Sequence, residues 1–242
     1  MSSQQGAVGD HRAVVPVRPT TGVIERRPNA LLGMIWLDLL GMRRMVRSIG
    51  VLMIVLAVTA GLLKQFAVGL PMLLTAMSAL GSQLFSSDEY YGLGRLYGSL
   101  PVSRSTVINA RYLIVAGSVI LVGAGVCVLV LFEPGALLFG LVPVVTCVMA
   151  LHALTVAAQI PVVVRFGARN GVWALVGFFI LVTAVGYLFY RGQRDDPERL
   201  LALLQRVVDH PGPVTALAIS ITVISLVTSW ALVQRIYRAQ DH

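Results

Sequence analysis

A protein that hydrolyses a nucleotide needs glycines followed by Lys and then Ser or Thr, so that backbone N–H groups and an ammonium cradle the phosphates. The only lysine of this chain, Lys64, sits between Leu63 and Gln65 at the edge of an apolar run. That loop cannot be built from these residues, and the chain is not expected to be an enzyme. Gly92, Gly94 and Gly98 read GxGxxxG, one residue off the dinucleotide fingerprint and without a strand before them. His-x-x-x-His and Cys-x-x-Cys spacings are absent, so no metal site is expected. Cys127 and Cys147 lie inside apolar runs and read as small core residues. Two polar stripes remain. Thr75, Ser78 and Ser82 stand at i, i+3 and i+7 in one apolar run with Gln83 on the flank, and His152, Thr155 and Gln159 repeat that spacing in another. None of these runs holds an Asp or Glu, and Glu133 falls just outside one. Ion-coupled carriers place titratable groups at depth, so a proton-driven carrier and an intramembrane protease are both disfavoured. His152 reads as a packed, hydrogen-bonded histidine and the stripes as interhelical glue or cavity lining.

The elements that carry these residues follow from composition. Of 242 residues, 57% are hydrophobic and 12% charged. Soluble domains are about a quarter charged, so the chain reads as an all-α integral membrane protein. Six runs approach the roughly 20 apolar residues that a spanning helix needs: 48–63, 68–86, 106–132, 139–164, 171–190 and 213–233. The first is short, and Arg47 and Lys64 can snorkel from its two ends to opposite interfaces. "KQFAVGLP" between the first two runs reads equally well as loop.

Charge orients the bundle. Fourteen of the nineteen basic residues fall before span 1 or after spans 2, 4 and 6, and five fall on the other side. The positive-inside rule then places both termini in the cytoplasm of an inner-membrane protein. It also accounts for the net charge of +8 without a nucleic-acid partner. Residues 1–30 read as a disordered cytoplasmic tail, 31–235 as the six-span domain and 236–242 as a second tail. The first 29 residues are rich in Gly, Pro, Ser, Gln and Arg and have no apolar core of a signal peptide. Within 31–47, Leu32, Ile35, Trp36, Leu39 and Leu40 recur at helical spacing before an arginine cluster. That pattern predicts an amphipathic helix in the cytoplasmic interface, or an extension of span 1. Across the membrane, Asp196, Pro197 and Glu198 begin a helix over 197–208, either packed on the outer mouth or serving as a plain linker.

The most polar interior stretch is 86–113, "SSDEYYGLGRLYGSLPVSRSTVINARYL". A short helix over 88–98 fits it, ended by Pro101, with Ser103 or Ser105 capping span 3. Tyr90, Tyr91, Leu93, Leu96 and Tyr97 are anchors of the kind interfaces favour. Asp88 and Glu89 suit the start of that helix, and Arg95 and Arg104 can pair with a partner's acids or with lipid phosphate. A solvated loop with interfacial tyrosines fits the composition equally.

Asp38-Leu39-Leu40 is followed by Phe85, Asp88 and Glu89, then by Leu100-Pro101-Val102-Ser103-Arg104, with Val107, Ile108, Arg111 and Tyr112 after it. That order resembles the small six-span permeases of type-2 ABC exporters. The resemblance covers about 31–235 in topology and 85–113 in motif; the long N-terminal extension departs from it. It implies that 88–98 is a coupling helix seated on a separate ABC-type ATPase subunit, present in two copies. That partner would bind ATP and Mg, this chain carrying no cofactor. It further implies a second permease subunit, with spans 2 and 5 facing one another across the pathway. Thr75, Ser78, Ser82 and Gln83, then Phe178, Phe179 and Thr183, are the cavity residues expected on that basis. An acid-free cavity suits an apolar or amphipathic cargo such as a peptide, an antibiotic or a lipid. The competing expectation is a membrane sensor or scaffold that moves nothing.

Overall fold

The computed structural model describes residues 30–63, 66–91, 103–132, 140–193, 202, 205–206 and 208–239. Its helices are α1 (Ala30–Gly41), α2 (Arg43–Leu63), α3 (Phe66–Tyr91), α4 (Arg104–Phe132), α5 (Leu141–Phe166), α6 (Ala168–Gln193) and α7 (Pro211–Ala239). No strand occurs among the described residues. Helix is the element that lipid demands, because hydrocarbon offers no hydrogen bonds and the backbone must satisfy its own. Arg104–Val130, Leu141–Phe166, Ala168–Leu188 and Pro211–Ala239 are each long and apolar enough to cross a membrane. They correspond to the runs expected at 106–132, 139–164, 171–190 and 213–233. The chain is thus a multi-pass membrane protein. Helices α2 and α3 stand where the first two runs are expected, with charged ends: Arg43, Arg44 and Arg47 in one, Asp88 and Glu89 in the other.

Several boundaries differ from expectation. The predicted amphipathic element at 31–47 is divided at Met42, so the arginines open α2 instead of closing α1. The division is a bend: Met42 N–H still donates to the Asp38 carbonyl at 3.0 Å and Val46 N–H to the Met42 carbonyl at 2.8 Å. Helix α3 continues to Tyr91, so Asp88–Tyr91 form its last turn and not the first turn of a separate helix. Ala30 belongs to α1 and α7 runs on to Ala239, so helix takes in the last residue of the expected N-terminal tail and residues 236–239 of the expected C-terminal one. Cys127 is half-buried and Cys147 is exposed on α5, so neither is a fully enclosed core residue. Residues 1–29, 92–102 and most of 197–208 lie outside the described residues; Ala202, Gln205 and Arg206 within the last stretch are helical.

Packing centres on α3, α4 and α5. One apolar cluster joins Leu84 and Phe85 of α3, Ile108 and Tyr112 of α4, Ile160 and Val163 of α5, Val233 of α7, and Met42 at the α1–α2 bend. A second joins Leu73 and Met77 of α3, Val126 and Leu129 of α4, and Val148 of α5. The first cluster therefore gathers the C-terminal ends of α3, α5 and α7 with the N-terminal parts of α2 and α4. Helices consecutive in the chain from α2 to α7 therefore alternate in direction, whereas α5 and α7 run the same way. Helix α7 packs most extensively on α5, and α6 lies outermost: of Ala168–Leu188 only Gly171 is buried.

The tightest connection is the α5–α6 hairpin. Gly167 is its one non-helical residue, with φ of 85°, and its N–H reaches the Val163 carbonyl at 2.9 Å. Glycine adopts this left-handed geometry without the clash a side chain would bring. Asn170 then donates from Nδ2 to the Phe166 carbonyl at 2.7 Å, closing the turn.

Candidate functional site

The segment that holds the expected partner-binding residues joins the end of α3 to the start of α4. Asp88, Glu89, Tyr90 and Tyr91 close α3, and Arg104 is the exposed first residue of α4. Leu93, Arg95, Leu96 and Tyr97 lie outside the described residues. The start of α4 is fixed as the sequence predicts. The Ser103 hydroxyl accepts the Thr106 N–H at 3.2 Å and the two hydroxyls meet at 2.8 Å, so Ser103 is the N-cap.

Behind this segment stands a set of buried polar contacts. Arg111 of α4 is 1% exposed, and its Nε lies 3.6 Å from Oδ2 of Asp38 on α1. The guanidinium also sits 5.5 Å from the centroid of the Phe85 ring on α3. Phe85 meets Tyr112 edge-on at 5.8 Å between centroids. Tyr112 and Ser229 of α7 then share a 2.8 Å hydrogen bond between their hydroxyls. One unbroken series of contacts thus connects α1, α4, α3 and α7 at the end of the bundle where α3 and α4 are joined. Neither Asp38 nor Arg111 figures among the expected site residues, although a signal existed: Arg111 stands inside an apolar helix, where a charge requires a partner.

Farther into the bundle, the first polar stripe splits. Ser78 is fully buried, Ser82 half-buried, and Thr75 and Gln83 exposed. At 100° per residue the four positions fan out across the edge of the buried face of α3, so burial falls steadily from Ser78 to Gln83. Thr75 and Ser82 return their hydroxyls to their own helix, at the Pro71 and Ala79 carbonyls. On α6, Phe178 and Phe179 are half-buried and Thr183 is exposed. Helices α3 and α6 touch, so the two expected sets lie on neighbouring elements.

The second stripe turns wholly inward: His152, Thr155 and Gln159 are each at most 2% exposed. Ser118 of α4 donates to the Val115 carbonyl at 2.7 Å, so its oxygen accepts from His152 Nε2 at 3.2 Å. Histidine here is interhelical glue, as read from the sequence. Thr155 donates to the Leu151 carbonyl at 2.7 Å. Ser78 Oγ, His152 Nδ1 and Gln159 Oε1 are buried without a hydrogen-bond partner among the described residues. Each such atom costs about 1–3 kcal/mol.

A family model described as ABC-2 family transporter protein matches residues 33–238. No curated protein and no solved structure matches the chain.

Proposed function

This chain belongs to the ABC-2 family of transporter proteins, and from that premise we propose that it is the permease subunit of an ABC exporter, driven by a separate ATPase. The match over residues 33–238 carries the reading, because it takes in every helix from α2 to α7 and most of α1. In this reading α2 and α3 also span the bilayer, giving six spans. Both ends of the chain and the α3–α4 connection then lie in the cytoplasm. The alternation of helix directions supports that topology, as does the arginine count.

The α3–α4 segment is the docking foot. Asp88, Glu89, Tyr90 and Tyr91, with Leu93, Arg95, Leu96, Tyr97 and Arg104, form the surface against which two copies of the ATPase seat. The partner holds ATP and Mg, and closure of its two copies on nucleotide displaces the foot. The end of α3 and the start of α4 move with it. Phe85, Arg111 and Tyr112 pass that motion to α1 through Asp38 and to α7 through Ser229. A second permease, identical or similar, completes the pathway along α3 and α6. Thr75, Ser82, Gln83, Phe178, Phe179 and Thr183 line it, and the cargo is apolar or amphipathic; Ser78, fully buried between helices, is withdrawn from that lining.

The test is co-purification with the ATPase and measurement of its turnover. Aromatic anchors at interface centres typically contribute 2 kcal/mol or more, about 30-fold in affinity. Tyr91→Ala and Arg95→Glu are therefore expected to abolish recovery of the complex at micromolar concentrations. Normal complex yield with unaltered turnover in both variants would remove the docking role.

A further inference from the structure

The exposed face of the α1–α2 junction forms an open groove of about 640 Å³, lined by Leu40, Arg43, Arg44, Arg47, Ser48 and Val51 among others. Leu40, Arg44, Arg47, Ser48 and Val51 recur at intervals of three and four, so one helical face runs through the bend. The three arginines are exposed, and none is ion-paired among the described residues. The only acid of α1 and α2, Asp38, is turned away towards Arg111. Below the arginines the same face continues as Val51, Ile54, Val55 and Val58, each more than half exposed. From Val51 to Val58 this strip extends about 10 Å along α2.

A cationic concavity that opens onto an apolar strip matches one kind of molecule: an anionic head joined to a hydrocarbon tail. We infer that the α1–α2 groove is a binding site for an anionic phospholipid of the surrounding leaflet. The phosphate lies among Arg43, Arg44 and Arg47, and an acyl chain lies along Val51, Ile54 and Val55. Arginine suits the head because its fork of N–H donors meets two phosphate oxygens at once. Two other occupants are disfavoured by charge. The chain's own N-terminal segment carries Arg12, Arg18, Arg26 and Arg27, the same sign as the groove. A second copy related by two-fold symmetry would bring this face against itself, arginine to arginine. The inference rests on α2 lying in the bilayer and not on the ATPase partnership. A chain that retains lipid yet binds no ATPase would sink the preceding proposal alone.

The experiment uses the full-length protein in vesicles of equal phosphatidylglycerol and phosphatidylcholine, extracted in mild detergent, with retained phospholipid measured by mass spectrometry. A preference of about tenfold for phosphatidylglycerol is expected, since clustered arginines near the surface attract anionic headgroups over neutral ones. Arg44→Gln with Arg47→Gln abolishes it. Arg235→Gln with Arg238→Gln removes equal charge from the exposed end of α7 and leaves the preference intact. All four side chains are exposed, and exposed substitutions rarely unfold a protein. Soluble glycerophosphoglycerol does not displace the lipid, because the tail contributes. Equal retention of the two lipids, or equal loss in the two paired variants, overturns the site. Displacement by the soluble headgroup makes it a simple anion site and overturns the lipid. A disulfide between two copies through Arg47→Cys, with no phosphatidylglycerol retained, gives the groove to a second subunit.

Discussion

Arg111 is the largest fully buried side chain among the described residues. Removing a guanidinium from water costs several kcal/mol, and only a partner with additional contacts offsets that. Asp38 supplies the charge and the Phe85 ring the cation–π face. The pair therefore fixes α1 against α4 more than it adds net stability. The asymmetry gives a prediction. Arg111→Met alone strands the buried Asp38 carboxylate and is expected to lower unfolding free energy by about 3–5 kcal/mol. Asp38→Leu with Arg111→Met removes both charges and restores most of the loss. Denaturation of the detergent-solubilised protein reads both, and a double variant no better than Arg111→Met would refute the pairing. At this scale the sequence was legible where chemistry is local. Ser103 as the N-cap of α4 needs only its neighbours three residues on. Asp38 with Arg111, or Tyr112 with Ser229, needs the fold, because nothing in the spacing along the chain states which residues meet.

Among the elements, the apolar runs mark α4 to α7 plainly, since about 20 apolar residues admit few alternatives. Their ends are less legible. The bend at Met42 occurs where Met34 and Asp38 turn inward while Leu32 and Trp36 stay exposed. Periodicity alone points to Leu32 and Trp36 and misses the buried face. Helix α3 outruns its apolar stretch because Ser86–Tyr91 contain no Gly or Pro, and polar residues of this kind continue a helix readily. The α5–α6 hairpin is where local backbone chemistry decides most. Gly167 has φ of 85°, and Gly171 packs so closely on Val163 that an added Cβ would overlap its side chain. Gly167→Ala is expected to cost about 1–3 kcal/mol through the backbone alone, because positive φ with extended ψ is essentially restricted to glycine. Gly192→Ala, in the same helix α6 with open space around its Cα, is expected to be neutral or mildly stabilising. Thermal unfolding of the two variants side by side is the check, and equal midpoints would remove the hairpin from the account.

For the whole molecule, the outstanding feature is how little of α6 the rest of the chain covers. In lipid there is no hydrophobic drive to bury an apolar helix, so exposure alone requires no partner. The family reading, however, requires a second permease, and the sequence placed Phe178, Phe179 and Thr183 on its pathway without saying which face of α6 meets what. That was beyond the sequence because lipid and a neighbouring helix select the same apolar residues. Gly177 separates the two cases. It is exposed, and a Cβ built on it meets nothing within 4 Å. Gly177→Leu therefore has no internal contact to break and should leave monomer stability within about 0.5 kcal/mol. Against a closely packed second helix, where small residues let backbones approach, the added side chain must push the partner away. We expect the variant to unfold like the unaltered protein yet lose the two-permease species in native mass spectrometry. Transport should be lost with it. If that species persists at unchanged abundance, this face of α6 looks onto lipid and the second subunit must bind elsewhere. Phe178, Phe179 and Thr183 stand about 100–160° round the helix from Gly177, so that outcome would leave them, like the residues on α3, to stand or fall on their own.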